Sequence, residues 1–301
     1  MRRRISIGIP AYNEEQDILN ILQSLEDQNA HDLTISEVLV SDDSSDSTPN
    51  IINQFAACSS LNVTLFHHTE RRGAAAAWNE IFKQANGDII VLYDADTIPH
   101  PLCTKHLASR IEGKVGLSAS NSQPVQSTGI AGKASVFISN WLRSVRLAGL
   151  SQYTVMGRAL AIDSNVAKSI QIPADLIAID LYLQCRVLEM GMDIVYNDDA
   201  IVYFKPANRM QDLTSQVVRA INGHNQIKDY ASKFKIDLPA QVAFMEAVKN
   251  SMRDPIGALS VAIGYLAIPY YRSSLTGTGS AKWHTAESSK AIDYRQLKAR
   301  F

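Results

Sequence analysis

The chain has 301 residues, of which 46% are hydrophobic and 20% are charged, a composition that is ordinary for a globular protein of one large domain with an appendage. A formal net charge of −1 gives no global electrostatic case for binding nucleic acid. The three cysteines are too widely spaced for a disulfide framework or a metal site, and no signal-peptide core follows the basic N-terminus. We therefore expect a cytoplasmic protein.

The first hundred residues alternate between strand and helix patterns. Strands are predicted over residues 5–9, 37–41, 62–68 and 89–93, with helices in the intervals, and polar clusters follow the strands. Regular alternation of this kind predicts a mostly parallel sheet with right-handed crossovers. In such sheets ligands bind outside the carboxyl ends of the strands, where these polar clusters fall.

Two carboxylates, Asp94 and Asp96, come directly after the apolar strand 89–93. Neighbouring carboxylates repel each other unless a cation lies between them, and hard cations such as Mg²⁺ or Mn²⁺ usually arrive with substrate phosphates. A D-x-D pair alone is equally compatible with a helix cap or an Asx turn. The pair therefore becomes informative only together with the other strand ends.

The other strand ends offer groups that suit a nucleotide. Asp42 and Asp43 can accept hydrogen bonds from a base or from ribose hydroxyls, although residues 44–48 are as readily explained as a hydrated helix cap. Arg71 or Arg72 precedes an alanine-rich helix and could meet the nucleotide, with a solvated surface arginine as the alternative. The first loop has neither G-x-G-x-x-G nor a P-loop lysine, which argues against a dinucleotide fingerprint.

Four motifs in this order and spacing resemble those of glycosyltransferase family 2, at residues 10–15, 40–48, 72–79 and 94–96. The resemblance implies an α/β fold of the GT-A type, with a mostly parallel central sheet flanked by helices and a helical C-terminal region. It implies Asp96 as the direct ligand of Mg²⁺ or Mn²⁺, with Asp94 beside it. The implied nucleotide-sugar-binding residues are Pro10, Ala11, Tyr12, Glu14, Asp42, Asp43, Arg72, Gly73, Asp94 and Ala95.

The resemblance continues more thinly on the acceptor side. Gly157 resembles a glycine that lets substrate approach the backbone, and Asp180 occupies the place of the family's catalytic base, although Ile179 replaces the usual glutamate. Asp180 could instead serve the dipole of the helix that begins there. Gln216 and Arg219 resemble a Q-x-x-R-W motif near the diphosphate and acceptor, with Ala220 replacing the tryptophan, and a surface helix is the alternative.

The activity implied is an inverting, divalent-metal-dependent transfer of sugar from a UDP- or GDP-linked donor to a hydroxyl acceptor, with a lipid-linked or polysaccharide acceptor hinted by the resemblance. Two alternatives stay open. A non-catalytic nucleotide-sugar-binding protein would fit the replacements at Ile179 and Ala220. A sugar nucleotidyltransferase would need a basic glycine-rich loop, which residues 7–12 do not form.

The predicted organisation is a GT-A domain over residues 1–208, a helical region over 209–272 and a polar tail over 273–301, in which a late helix falls within 288–299. The GT-A domain divides into a nucleotide-sugar half (about 1–98) and an acceptor half (about 99–208). The apolar stretch 256–268 is shorter than the ~20 residues of a membrane-spanning helix. It is interpreted as a buried helix, a dimer face or an interfacial element, and the last supports peripheral attachment at the cytoplasmic face of a membrane.

Overall fold

Among the residues that the computed structural model describes, eight strands form one mixed sheet. The described residues are 3–29, 33–150, 158–234, 236, 239–272 and 287–299. The strands are β1 (Arg3–Ala11), β2 (Leu33–Asp42), β3 (Val63–His67), β4 (Ile89–Tyr93), β5 (Thr97–Pro99), β6 (Val115–Pro124), β7 (Ala159–Asp163) and β8 (Asp193–Phe204). Their spatial order is β3-β2-β1-β4-β7-β6-β8-β5.

Helices cover both faces of the sheet and form the C-terminal region. They are α1 (Ile18–Glu26), α2 (Thr48–Cys58), α3 (Ala74–Gln84), α4 (Cys103–Ser109), α5 (Gly129–Val145), α6 (Ser164–Ser169), α7 (Ile179–Glu189), α8 (Met210–Ser232), α9 (Ala240–Arg253), α10 (Pro255–Arg272) and α11 (Tyr294–Lys298). A π-helical turn, Arg146–Leu150, continues α5.

The sheet is parallel in its first half and mixed in its second. β1 pairs in parallel with β2 and β4, and β2 with β3, as the alternating sequence predicts. β7 then runs antiparallel between β4 and β6. The prediction of a GT-A type α/β fold is confirmed, and the parallel arrangement belongs chiefly to β1, β2, β3 and β4.

Strand β4 is buried along its whole length because helices cover both faces of the sheet. Ile90 and Leu92 pack on the side of α3, and the alternate residues 89, 91 and 93 pack on the side of α1. Alternating faces are the normal geometry of a strand. This packing fixes the position of the carboxyl end of β4, from which residues 94–96 leave the sheet.

The C-terminal helices pack against α5, and α10 also packs against α8. Within the described part of the chain, no helix is both long and apolar enough to cross a membrane. Residues 273–286 of the predicted polar tail lie outside the described residues. Residues 287–299 contain the predicted late helix as α11, and Tyr294 and Leu297 are buried against Ile98.

Candidate active site

The carboxyl ends of β1, β2 and β4 lie side by side and bring the predicted motifs to one edge of the sheet. Pro10 and Ala11 end β1, and Ala11 pairs with Asp42 at the end of β2. β7 enters beside β4 in the opposite direction, so Arg158 stands next to the residues that follow β4. The backbone N–H of Asp94 donates to the carbonyl oxygen of Arg158 over 3.0 Å.

Asp42 and Asp43 are buried and hydrogen-bonded within the chain. Oδ2 of Asp42 lies 2.7 Å from Nδ1 of His67. Oδ2 of Asp43 accepts from the backbone N–H groups of Arg72 and Gly73 at 2.6 and 3.0 Å, and its Oδ1 accepts from Nε of Arg72 at 2.9 Å. Asp42 therefore joins β2 to β3, and Asp43 joins β2 to the loop before α3. A carboxylate oxygen can still accept a further hydrogen bond from a ligand.

Arg72 is held by a network that the sequence did not reveal. Its Nη2 donates to Oε2 of Glu80 and to Oγ of Ser41, each over 3.0 Å. Burial acts against the charge, but hydrogen bonds to Glu80 and Asp43 outweigh it and raise the pKa of Arg72. Gly73 adopts a φ of 97° at the start of α3, a conformation that favours glycine.

Tyr12 and Arg71 form a second contact across this edge. The guanidinium carbon of Arg71 lies 3.8 Å from the centroid of the Tyr12 ring, which is a cation–π arrangement. Both side chains are half-buried. The sequence offered Arg71 and Arg72 as alternatives, and the structure gives them different partners: Arg71 stacks on Tyr12, and Arg72 pairs with acidic groups.

Three carboxylates crowd the loops after β1 and β4. Burial raises the pKa of Asp94 to about 7, the charge of Asp96 adds to the rise, and Arg158 and Arg219 oppose it. Burial also raises the pKa of Glu14 to about 8, again with a contribution from Asp96, and Lys290 opposes it. Ala95 lies buried between the two aspartates. This part of the site has more negative charge than its cations offset.

The carboxylates fit a divalent cation that completes its coordination with substrate. Among the described residues, no group of three histidine, cysteine or acidic side chains is placed to hold a metal. Mg²⁺ is commonly held by one or two carboxylates together with substrate phosphates and water. The oxygen donors of Asp94 and Asp96, one residue apart and mutually repelling, match that requirement.

Asp180 and Arg219 lie on the other side of the same cluster. Asp180 stands in the first turn of α7, and Arg219 is half-buried on α8. Burial lowers the pKa of Arg219 to about 10, although the charges of Asp180 and Asp94 oppose the change. Gln216 lies three residues before Arg219 and so shares its helix face. Gly157 lies outside the described residues.

Two more arginines border this region, and the sequence interpretation gave neither of them a role. Arg146, in the π-helical turn after α5, is only 4% exposed, and burial lowers its pKa to about 10, although the neighbouring Tyr196 and Asp180 oppose the change. The guanidinium carbon of Arg158 lies 3.7 Å from the centroid of the Phe204 ring. Arg158 directly follows Gly157, which is a usable signal, whereas nothing in the local sequence distinguishes Arg146 from its basic neighbours.

The sheet order, with polar loops gathered at the carboxyl edge, defines a protein of the GT-A fold. Residues 6–128 match the family described as glycosyl transferase family 2. It is similar to the probable glycosyltransferase YdaM of Bacillus subtilis (strain 168), with 30% identity over 106 residues, or 35% of this chain and 25% of that protein.

Two further comparisons extend the likeness. The dolichol-phosphate mannosyltransferase of Pyrococcus furiosus is 32% identical over 98 residues, covering 33% of this chain and 27% of that protein. These matches span about a quarter of either curated relative. The mannosyltransferase PcManGT from Pyrobaculum calidifontis, solved in complex with GDP-Man and Mn²⁺, shares the fold with a TM-score of 0.61 at 21% identity, covering 93% of this chain and 85% of that one.

The buried pair of Asp43 and Arg72 leads to a stability prediction. The variant Asp43→Asn removes one of the two carboxylates that pair with Arg72, and we expect the free energy of unfolding to fall by about 3 kcal/mol. The matched control Asp88→Asn removes an exposed pair with Arg4 and should cost about 1 kcal/mol or less. Urea denaturation of the three proteins measures both values, and equal losses in the two variants would contradict the structural role of Asp43.

Proposed function

We propose that this chain is an inverting glycosyltransferase that moves a sugar from a nucleoside diphosphate-sugar to a hydroxyl acceptor with the help of Mg²⁺ or Mn²⁺. The observation that carries the proposal is the meeting of Asp94 and Asp96 with Asp180 and Arg219 at one edge of the sheet. The solved complex of PcManGT with GDP-Man and Mn²⁺ supports a donor of this class. A glucosyl-3-phosphoglycerate synthase from Mycobacterium tuberculosis, solved with UDP and Mn²⁺, supports a uridine nucleotide equally.

The donor half binds the nucleotide in this proposal. Tyr12 and Arg71 offer flat faces for a base or ribose, and Asp42 offers carboxylate oxygens to N–H and hydroxyl donors. Asp94 and Asp96 hold the divalent cation. When bound, the cation neutralises charge on the leaving nucleoside diphosphate.

The acceptor half supplies the base. Asp180 takes the proton of the acceptor hydroxyl while the oxygen of that hydroxyl forms a bond to the anomeric carbon of the sugar. The bond between that carbon and the diphosphate oxygen breaks on the opposite face, and its electron pair leaves with the nucleotide. A single displacement of this kind inverts the anomeric centre. Arg219 offsets the negative charge that develops on the departing phosphate, a task that suits a guanidinium.

The family match argues against one of the two alternatives, the sugar nucleotidyltransferase. A sugar nucleotidyltransferase has no support in the first loop, and the curated relatives named above are a probable glycosyltransferase and a mannosyltransferase. A non-catalytic binder remains the second candidate because of Ile179 and Ala220. Release of UDP or GDP in the presence of acceptor separates such a binder from an active transferase.

A lipid-linked or polysaccharide acceptor is our proposal for the acceptor class.

We also propose peripheral contact with the cytoplasmic face of a membrane, because α9 and α10 expose large apolar side chains. Met252 and Leu266 are 80% and 82% exposed, and Phe244 is 70% exposed. Lys249 and Arg253 lie on α9 beside them. An exposed apolar surface with flanking basic residues is typical of proteins that lie in the interface of an anionic membrane.

The metal role of Asp96 has a direct test. In wild-type protein, UDP or GDP with Mn²⁺ should stabilise the fold by about 2.7 kcal/mol at a hundredfold excess over Kd. Asp96→Ala should lose the part of this gain that depends on Mn²⁺, together with nucleotide release in the presence of acceptor. Asp88→Ala, at the opposite end of β4, is the control and should behave as wild type. Normal metal dependence in Asp96→Ala would refute the assignment.

The base assignment is tested by Asp180→Asn. We expect nucleotide binding to persist and turnover to fall by a factor of about a hundred to ten thousand, the usual contribution of a general base. Asp175→Asn, an exposed position five residues earlier, is the matched control and should leave turnover unchanged. Calorimetry measures binding and an assay of released nucleotide measures turnover. Unchanged turnover in Asp180→Asn would exclude it as the base.

The membrane proposal predicts sedimentation with vesicles of phosphatidylcholine and phosphatidylglycerol. Met252→Glu combined with Leu266→Glu should leave the protein in the supernatant, because two charges would have to enter the interface. Leu19→Glu combined with Met190→Glu places the same charges at exposed apolar sites elsewhere and should sediment as wild type. A wild-type protein that remains wholly in the supernatant would overturn the proposal.

A further inference from the structure

Residues 287–299, named here the C-terminal strap, lie against the nucleotide-sugar half of the fold. The backbone N–H groups of Ala291 and Ile292 both donate to the carboxylate of Asp17, each over 2.9 Å. Asp17 is 1% exposed, so this anchor is buried. Ala291 adopts a φ of 65°, a conformation that an alanine keeps only when its surroundings hold it.

The strap also packs against the residues that follow the D-x-D motif. Ile292, Tyr294 and Leu297 form one buried apolar cluster with Ile98, which is fully buried. Ile98 lies on β5, two residues after Asp96. The strap therefore contacts both chain segments that bear the donor-side carboxylates, the loop 12–17 after β1 and the residues that follow β4.

Lys290 of the strap contacts loop 12–17 through its ammonium group. It is 8% exposed, its Nζ lies 3.3 Å from Oε2 of Glu14, and it donates a hydrogen bond to the carbonyl oxygen of Asn13. Its own carbonyl oxygen accepts from Nζ of Lys205 over 2.7 Å, which fixes the strap at this residue. A buried ammonium and a buried carboxylate each need the other as a partner, because either one left alone has lost its hydration.

Loop 12–17 needs a cation beside Glu14 because acidic side chains surround that residue. Burial, together with the negative charges of Asp96 and Asp17, opposes the ionisation of Glu14 and raises its pKa, and Lys290 acts in the other direction. Loop 12–17 and the D-x-D residues would otherwise repel each other. A lysine that enters from outside both segments offsets this repulsion while the anchor at Asp17 and the packing on Ile98 hold the segments in place.

We infer that the C-terminal strap is part of the donor site and that Lys290 is a positioning residue, which holds Glu14 and loop 12–17 in the arrangement that receives a nucleoside diphosphate. The ligand in this inference rests on the proposed function, whereas the ordering of the loop does not. Lys290 acts through Glu14, so its effect should depend on its positive charge and should extend to Tyr12 on the same loop.

Calorimetric titration of the full chain with UDP and with GDP, each with Mn²⁺, tests the inference. Lys290→Met should weaken binding of the nucleotide that wild type prefers by about tenfold or more, the effect expected when a buried charge pair loses one partner. Lys290→Arg keeps the cation and should recover most of the affinity. Lys298→Met is the matched control, since Lys298 lies on the same strap and pairs with Asp27 in an exposed position. Wild-type affinity in Lys290→Met would overturn the role in the donor site.

Amide hydrogen exchange without nucleotide gives a second readout that does not depend on the proposed function. Residues 12–18 should exchange faster in Lys290→Met than in wild type or Lys298→Met, and Lys290→Arg should restore protection. Equal protection in all four proteins would overturn the positioning role. If Lys290→Met does not fold, Lys290→Gln, which retains a hydrogen-bond donor, replaces it in both measurements. A wild type that binds neither nucleotide would refute the proposed function, and the exchange rates would still decide whether Lys290 orders the loop.

Discussion

The arrangement of this protein depends on the crowding of negative charge at one edge of its sheet. Asp94 and Glu14 lie near Asp96, and burial opposes the ionisation of both groups, so both require an opposing charge. The chain supplies Arg158 and Arg219 on one side and Lys290 on another. These cations come from the start of β7, from α8 and from the C-terminal strap. The site is therefore complete only when the C-terminal third is folded against the sheet.

The antiparallel strand β7 is what allows cations and carboxylates to meet. At the carboxyl end of a parallel strand the chain leaves the sheet, and the next parallel strand enters the sheet at the opposite edge. β7 runs antiparallel to β4. Arg158, at the start of β7, therefore lies beside Asp94, which follows the end of β4. One change of direction thus places the start of β7 against the residues that follow β4, and the parallel strands β1 to β4 alone could not do so.

Local signals in the sequence were sufficient for the first half of the fold and for the D-x-D residues. Strands β1 to β4 and helices α2 and α3 follow from periodicity and turn residues, which are properties of short windows. Helix α1 begins only at Ile18, because Asn13 adopts a φ of 55° and a turn follows it. The pairing of Asp43 with Arg72 and the contact of Lys290 with Glu14 join residues far apart in the chain, so no window contains them.

The two departures from the family pattern fall at one core position and one surface position. Ile179 is 6% exposed and packs in the core beside α3, so a glutamate in this orientation would lie among apolar side chains. Ala220 is exposed on α8, on the side away from the core. Their neighbours Asp180 and Arg219 influence each other electrostatically and border the D-x-D residues. The replacements therefore change packing and surface and retain the charged pair, which favours a catalytic protein over a non-catalytic binder.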